Sequence, residues 1–184
     1  MHYEDDLPIN IAEIDGNRVR KYGYASMAET VIFMEKLCRF LIAQPDPTIV
    51  PVYDFQSHGR QPDGNLHYTY DMEKLYRLPR DEKKIIQEAA HEWYDYGNYP
   101  SESRREVLVD GWKEYPDLMN FLERLMQLGR YTDINRGNIM LHRDGSYRVI
   151  DLESFFHTPL NHHKNMWFQC EPETSSQSAN FSAL

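Results

Sequence analysis

Three side chains in the C-terminal third carry the chemistry that this sequence poses. Asp133 and Asn138 lie in Tyr131-Thr132-Asp133-Ile134-Asn135-Arg136-Gly137-Asn138-Ile139-Met140-Leu141, and Asp151 lies in Val149-Ile150-Asp151-Leu152-Glu153. A carboxylate five residues before a carboxamide is the D-x-x-x-x-N spacing in which the acid takes a proton from a hydroxyl while the amide oxygen holds a metal. A second carboxylate shortly afterwards, Asp151, supplies another hard oxygen. Mg²⁺ suits such a pair, because it takes few protein oxygens and completes its shell with waters and substrate phosphates. The chemistry these residues point to is phosphoryl transfer, with Asp133 as the general base and Asn138 and Asp151 as metal ligands.

Such residues work only if the chain holds them together. Ile139 to His142 and Tyr147 to Ile150 are short β-prone runs on either side of Arg143-Asp144-Gly145-Ser146. Asp-Gly at the centre predicts a two-residue type I′ hairpin with Asp144 and Gly145 as its loop. That register sets Asn138 directly opposite Asp151, with Cα atoms about 4.5–5.5 Å apart, and leaves Asp133 at the mouth of the same loop. A helix from Pro116-Asp117 to Leu128, ended by Gly129, delivers the chain into this segment.

Upstream, Ile9 to Ile14 alternates apolar and polar, Asp15-Gly16 marks a turn, and Asn17 to Tyr22 reads as the return strand. Lys21 ends that strand and is the candidate phosphate-anchoring lysine. Ser26 to Ile42 has helical periodicity, with Val31, Met34, Leu37, Cys38 and Leu41 as its apolar stripe and a Ser26–Glu29 capping box at its start. A phosphate-anchoring lysine needs a carboxylate to orient it. Glu29 is the first choice, since Ile32 and Phe33 follow it at helical spacing, and Glu35 is the reserve. Ile49 to Phe55 is an edge-strand candidate because of Pro51, Ser57 to Asn65 a turn, and Leu66 to Met72 the next strand. Backbone groups around Met72, Glu73 and Lys74, where the chain leaves the first set of strands, are candidates for holding an adenine. Further helices are expected from Arg80 to Tyr96 and from Arg104 to Lys113.

Length and composition bound the rest. The chain has 184 residues, 41% of them hydrophobic and 27% charged, which fits one globular α+β domain with a core of its own. No apolar run approaches a membrane span and no signal-peptide pattern opens the sequence. Two cysteines, Cys38 and Cys170, are too few for a disulfide scaffold, so a reducing cytoplasm is the expected setting. A net charge of −9 argues against general nucleic-acid binding. His162-His163 has no matching ligand cluster.

Taken together, Asn17 to Gly23, Ile49 to Asp54, Asp133 to Met140 and Ile150 to Phe155 resemble protein-kinase-like phosphotransferases. More narrowly, they are similar to the early serine/threonine protein kinases of short-tailed coliphages. The resemblance frames residues 9–156. It implies a minimal protein-kinase-like fold in one domain: a small antiparallel-sheet N-lobe over about 1–75, a reduced and mainly helical C-lobe over 76–160, and a flexible tail over 161–184. It further implies ATP and Mg²⁺ as cofactors and host proteins as substrates during bacteriophage infection. Autophosphorylation is implied as well, with Thr174, Ser175, Ser176, Ser178 and Ser182 as candidate sites. Carried over by position, Lys21 holds the ATP phosphates, Glu29 orients Lys21, Asp133 is the base, and Asn138 and Asp151 bind Mg²⁺.

The sequence also departs from that pattern. Tyr131-Thr132 replaces the usual His-Arg, Asp151-Leu152-Glu153 replaces Asp-Phe-Gly, and no Gly-rich loop precedes Lys21. Asp-x-Glu is similar to choline- and aminoglycoside-kinase-like enzymes, in which Glu153 would help with a second metal. Two other readings therefore stand beside the protein kinase: a small-molecule phosphotransferase, and a non-catalytic pseudokinase that binds and inhibits a host protein.

Overall fold

The computed structural model describes residues 10–96, 114–127 and 134–156. Strands β1 (Ile11–Asp15) and β2 (Arg18–Ala25) form a hairpin through Gly16 and Asn17. The Asp15 carboxylate holds the turn by accepting hydrogen bonds from the Asn17 amide and Arg18 Nε, each 2.9 Å. Strand β2 pairs along its length with β4 (Leu66–Glu73), which pairs on its other edge with β3 (Val52–Arg60). The result is a four-stranded antiparallel sheet in the order β1-β2-β4-β3. The strand following Pro51 is at the edge, as its proline requires. It runs further than the sequence suggested, to Arg60, so the turn narrows to the residues between Arg60 and Leu66. There the Gln61 amide donates to the Asn65 carbonyl at 2.8 Å.

Helix α1 (Ala28–Ala43) covers one face of this sheet. It buries Val31, Phe33, Met34, Leu37, Cys38 and Leu41, the expected stripe with Phe33 added. Its start differs from expectation. Strand β2 persists to Ala25, Met27 takes the N-cap position in extended conformation, and no side chain caps the helix, so the Ser26–Glu29 capping box does not form. Helices α2 (Arg80–Tyr96) and α3 (Pro116–Gln127) match the periodicity closely. The helix expected over Arg104 to Lys113, Cys170, His162-His163 and the serine-rich tail lie outside the described residues.

The second sheet is the hairpin of β5 (Ile139–Leu141) and β6 (Tyr147–Val149), followed by a 3₁₀ turn at Leu152–Phe155. Its register is one residue away from the predicted one. Ile139 pairs with Val149 and Leu141 with Tyr147, and the His142 amide donates to the Ser146 carbonyl at 2.8 Å. The loop is therefore Arg143-Asp144-Gly145, with Gly145 at φ +84°. The cause is local: Asp144 accepts the Ser146 amide at 2.8 Å, which favours a three-residue loop with glycine in the left-handed position over a type I′ turn. Asn138 consequently stands opposite Ile150, whose amide donates to the Asn138 carbonyl at 2.9 Å, and Asp151 lies one step beyond.

Two bridges join the sheets. Ile49 pairs in parallel with Val149, and Tyr76 pairs antiparallel with Leu141 through amide–carbonyl bonds of 2.8 Å in both directions. One hydrophobic core runs through both layers, from Met34 and Leu37 on α1 to Ile86 on α2, Leu122 on α3 and Val149 on β6.

Because Met27 is about half exposed and caps nothing, Met27→Ser should stabilise the fold by about 1 kcal/mol. Paired urea melts of the two proteins would measure this.

Candidate active site

Strand β2 buries Val19, beside the β4 end that runs out toward Lys74, and carries Lys21 two residues further along the same face. Lys21 reaches across to the second sheet. Its Nζ lies 2.8 Å from Asp151 Oδ1 and 2.7 Å from Glu153 Oε2, with the ammonium group's side chain only 12% exposed. Directly across the strand pair is Tyr70, with Tyr68 opposite Gly23. Both phenols point at the same carboxylate: Tyr68 donates to Glu153 Oε1 at 3.2 Å and Tyr70 to Glu153 Oε2 at 3.1 Å. Lys21 Nζ also stands 5.8 Å above the Tyr70 ring, within cation–π range. The Ser154 hydroxyl donates to Asp151 from the first turn after it.

The electrostatics follow from burial against pairing. Burial disfavours the Lys21 ammonium, yet the Glu153 and Asp151 carboxylates outweigh it and raise its pKa. Burial pushes Asp151 up, but Lys21 and the hydrogen bonds it receives hold it below the ordinary carboxylate range. At Glu153 burial wins over Lys21, and its carboxyl is raised. Burial also raises Tyr68 and Tyr70, first of all, with the charge of Glu153 adding to it, so both remain donors. With the two carboxylates ionised, the cluster is one ammonium against two anions.

Beside this cluster lies a cleft of about 420 Å³. Ile11 and Val19 come from β1 and β2, Met72 to Leu75 from the chain leaving β4, and Ile139, Met140 and Ile150 from the second hairpin. These are flat apolar walls of the kind that hold a planar ring. The rim adds Lys74, Arg77, Lys83 and Arg136, a concentration of cations on a protein of net charge −9.

The expected adenine-holding residues line this cleft, but their amides are committed. The Glu73 amide donates to the Pro51 carbonyl at 2.9 Å and the Lys74 amide to the Asn17 carbonyl at 2.8 Å. Leu75, the next residue lining the cleft, makes no hydrogen bond among the described residues. The Glu73 side chain is equally occupied: buried to 6% exposure, it accepts from Arg143 Nη2 at 2.6 Å and Nε at 3.0 Å, and from Tyr53 at 3.3 Å.

Lys21 does not meet Glu29. Glu29 is exposed on the first turn of α1, where Ile32 is also exposed, so that side of the helix faces solvent. The reserve, Glu35, pairs with Arg39 at 2.8 Å. The helix presents Met34 and Cys38 to the core instead of a carboxylate. Asn138 sits at the open end of the β5–β6 hairpin, diagonal to Asp151, with its amide bonded to Asn135. Asp133 lies outside the described residues. Sequence reasoning missed Tyr68 and Tyr70. The available signal was their alternate spacing with Met72, which puts all three on one face of a strand.

Comparison of the chain with family models, curated proteins and solved structures found no match.

Removing the ammonium strands two carboxylates, so Lys21→Met should cost about 3 kcal/mol at pH 7. The depressed Asp151 contributes stability that is present above its ordinary value of 3.8 and lost as pH falls through the folded value. The gap between wild type and Lys21→Met should therefore narrow as the pH falls below 3.8, which urea unfolding at pH 7 and again below 3.8 would read directly.

Proposed function

We propose that this chain is an ATP- and Mg²⁺-dependent phosphotransferase of protein-kinase-like design that modifies serine or threonine on host proteins in a phage-infected cell. The observation that carries the reading is the contact between Lys21 and Asp151, positions 130 residues apart, beside an apolar cleft that Val19 and Ile150 line. A nucleotide base fits the slot between Val19, Met72, Met140 and Ile150, and its phosphates then extend toward Lys21. Asn138 and Asp151 are both hard oxygen donors on neighbouring positions of one hairpin end, which fits Mg²⁺. The metal's contribution when bound is to neutralise charge on the transferred phosphoryl group. Lys21 anchors the phosphates, and Asp133 accepts the proton of the acceptor hydroxyl.

A second reading has its own support. The Gly16–Asn17 turn lies at the Lys74 end of the sheet, where the Asn17 carbonyl accepts the Lys74 amide, and not above Lys21. Among the described residues no turn covers the phosphate end of the cleft. A protein of this kind that binds and inhibits a host protein without transferring phosphate is the alternative.

Incubation with γ-labelled ATP, Mg²⁺ and a bacterial lysate should label protein bands with wild type and not with Asp151→Asn. Absence of label from both, together with no Mg·ATP-induced thermal shift, would overturn the phosphotransferase and favour the inhibitor. Label moving to small molecules but not to protein would assign the activity to a metabolite kinase instead.

A further inference from the structure

We infer that Glu153, fixed by Tyr68 and Tyr70, is the residue that positions Lys21, so that the anchoring lysine is set by the sheet itself and not by helix α1. The resemblance offers Glu153 to a second metal, and its surroundings argue for this different task. The inference rests on the phosphotransferase reading for its catalytic meaning, but the geometry stands without it.

Both oxygens of Glu153 are committed. Oε1 takes the Tyr68 phenol at 3.2 Å, and Oε2 takes the Tyr70 phenol at 3.1 Å and Lys21 Nζ at 2.7 Å. Turning this carboxylate toward a metal would strip both phenols of their acceptor. Tyr68 and Tyr70 are 2% and 1% exposed, so each phenol left without its acceptor would have no water to replace it. Asp151 also contacts Lys21 Nζ, at 2.8 Å, and accepts from the Ser154 hydroxyl on the adjacent turn. Both acids contact Lys21, and Glu153 is the one that the two phenols tie to the sheet.

The framework behind Glu153 is rigid. Tyr70 pairs with Lys21 and Tyr68 with Gly23 in one antiparallel ladder, so the phenols and the ammonium are referenced to the same backbone. Gly23 is a requirement of that arrangement. A Cβ at this position would sit 2.2 Å from Tyr68 Cζ and 2.6 Å from its hydroxyl oxygen, deep inside contact distance. Any side chain there expels the ring from the path to Glu153. Helix α1 contributes no ionised group to the cluster: Glu29 is exposed, Glu35 is held by Arg39, and Cys38 is buried with burial raising its thiol. The lysine site is therefore complete without any movement of α1.

The test follows the reactivity of Lys21 toward an amine-acylating reagent, read by mass spectrometry, alongside thermal melts. In Glu153→Gln, and in the double variant Tyr68→Phe/Tyr70→Phe, Lys21 should be labelled several-fold faster than in wild type while the melting transition stays cooperative. Gly23→Ala should behave like the loss of Tyr68. Equal labelling in wild type and all these variants, or faster labelling in Glu29→Gln but not in Glu153→Gln, would overturn the inference. In the transfer assay, Glu153→Gln should lower kcat about tenfold or more with the Mg²⁺ half-saturation unchanged. Recovery of its rate at high Mg²⁺ would overturn the inference too, by making Glu153 a metal ligand. If wild type transfers no phosphate, the phosphotransferase reading fails while the labelling experiment still decides the role of Glu153.

Discussion

The structure depends on a buried charge imbalance. One ammonium from the first sheet, Lys21, is enclosed with two carboxylates from the end of the second, Asp151 and Glu153. Enclosing charges is costly unless every partner is present and hydrogen-bonded. The surrounding structure meets that condition with Tyr68, Tyr70 and Ser154. Much of the fold can be understood as what it takes to bring these groups together. The Ile49–Val149 and Tyr76–Leu141 bridges align the sheets, and one core runs beneath them both.

The same arrangement decides what the cluster can do. A closed, neutral pair would have no further use for a cation. Two carboxylates against one ammonium retain an affinity for positive charge, while the apolar walls of the neighbouring cleft, Val19 and Ile150 among them, suit an uncharged ring. A ligand that is planar and apolar at one end and a metal-chelated anion at the other complements both. This complementarity, rather than any one residue, is what supports the nucleotide proposed as its occupant.

How much of this the sequence disclosed depended on range. Helices α2 and α3 and strand β4 follow local periodicity, and their bounds came within a residue or so of expectation. The turn at Asp144-Gly145 was recognised but its loop length was not, because Asp144 also accepts the Ser146 amide, and one extra loop residue moved the partner of Asn138 from Asp151 to Ile150. The lysine's carboxylate partner was sought on the nearest helix. Glu29 satisfied the helical spacing rule, yet of its two markers of the buried side only Phe33 is buried, while Ile32 and Glu29 itself are exposed. The true partners lie 130 and 132 residues away, and no local pattern encodes such a contact. Tyr68 and Tyr70 were legible as strand residues but not as site residues, since only the fold shows that Glu153 arrives beside them. Asp133 was chosen on spacing alone and lies outside the described residues.

The buried carboxylate of Glu73 carries a different consequence. It ties the exit of β4 to Arg143, and with it the tip of the second hairpin to the first sheet. Together with the Tyr76–Leu141 bridge, this fastens roof and floor of the cleft along one side. Two plates clamped along a shared edge keep a set gauge there. Widening the cleft on that side means breaking the Glu73–Arg143 pair and both Tyr76–Leu141 bonds together.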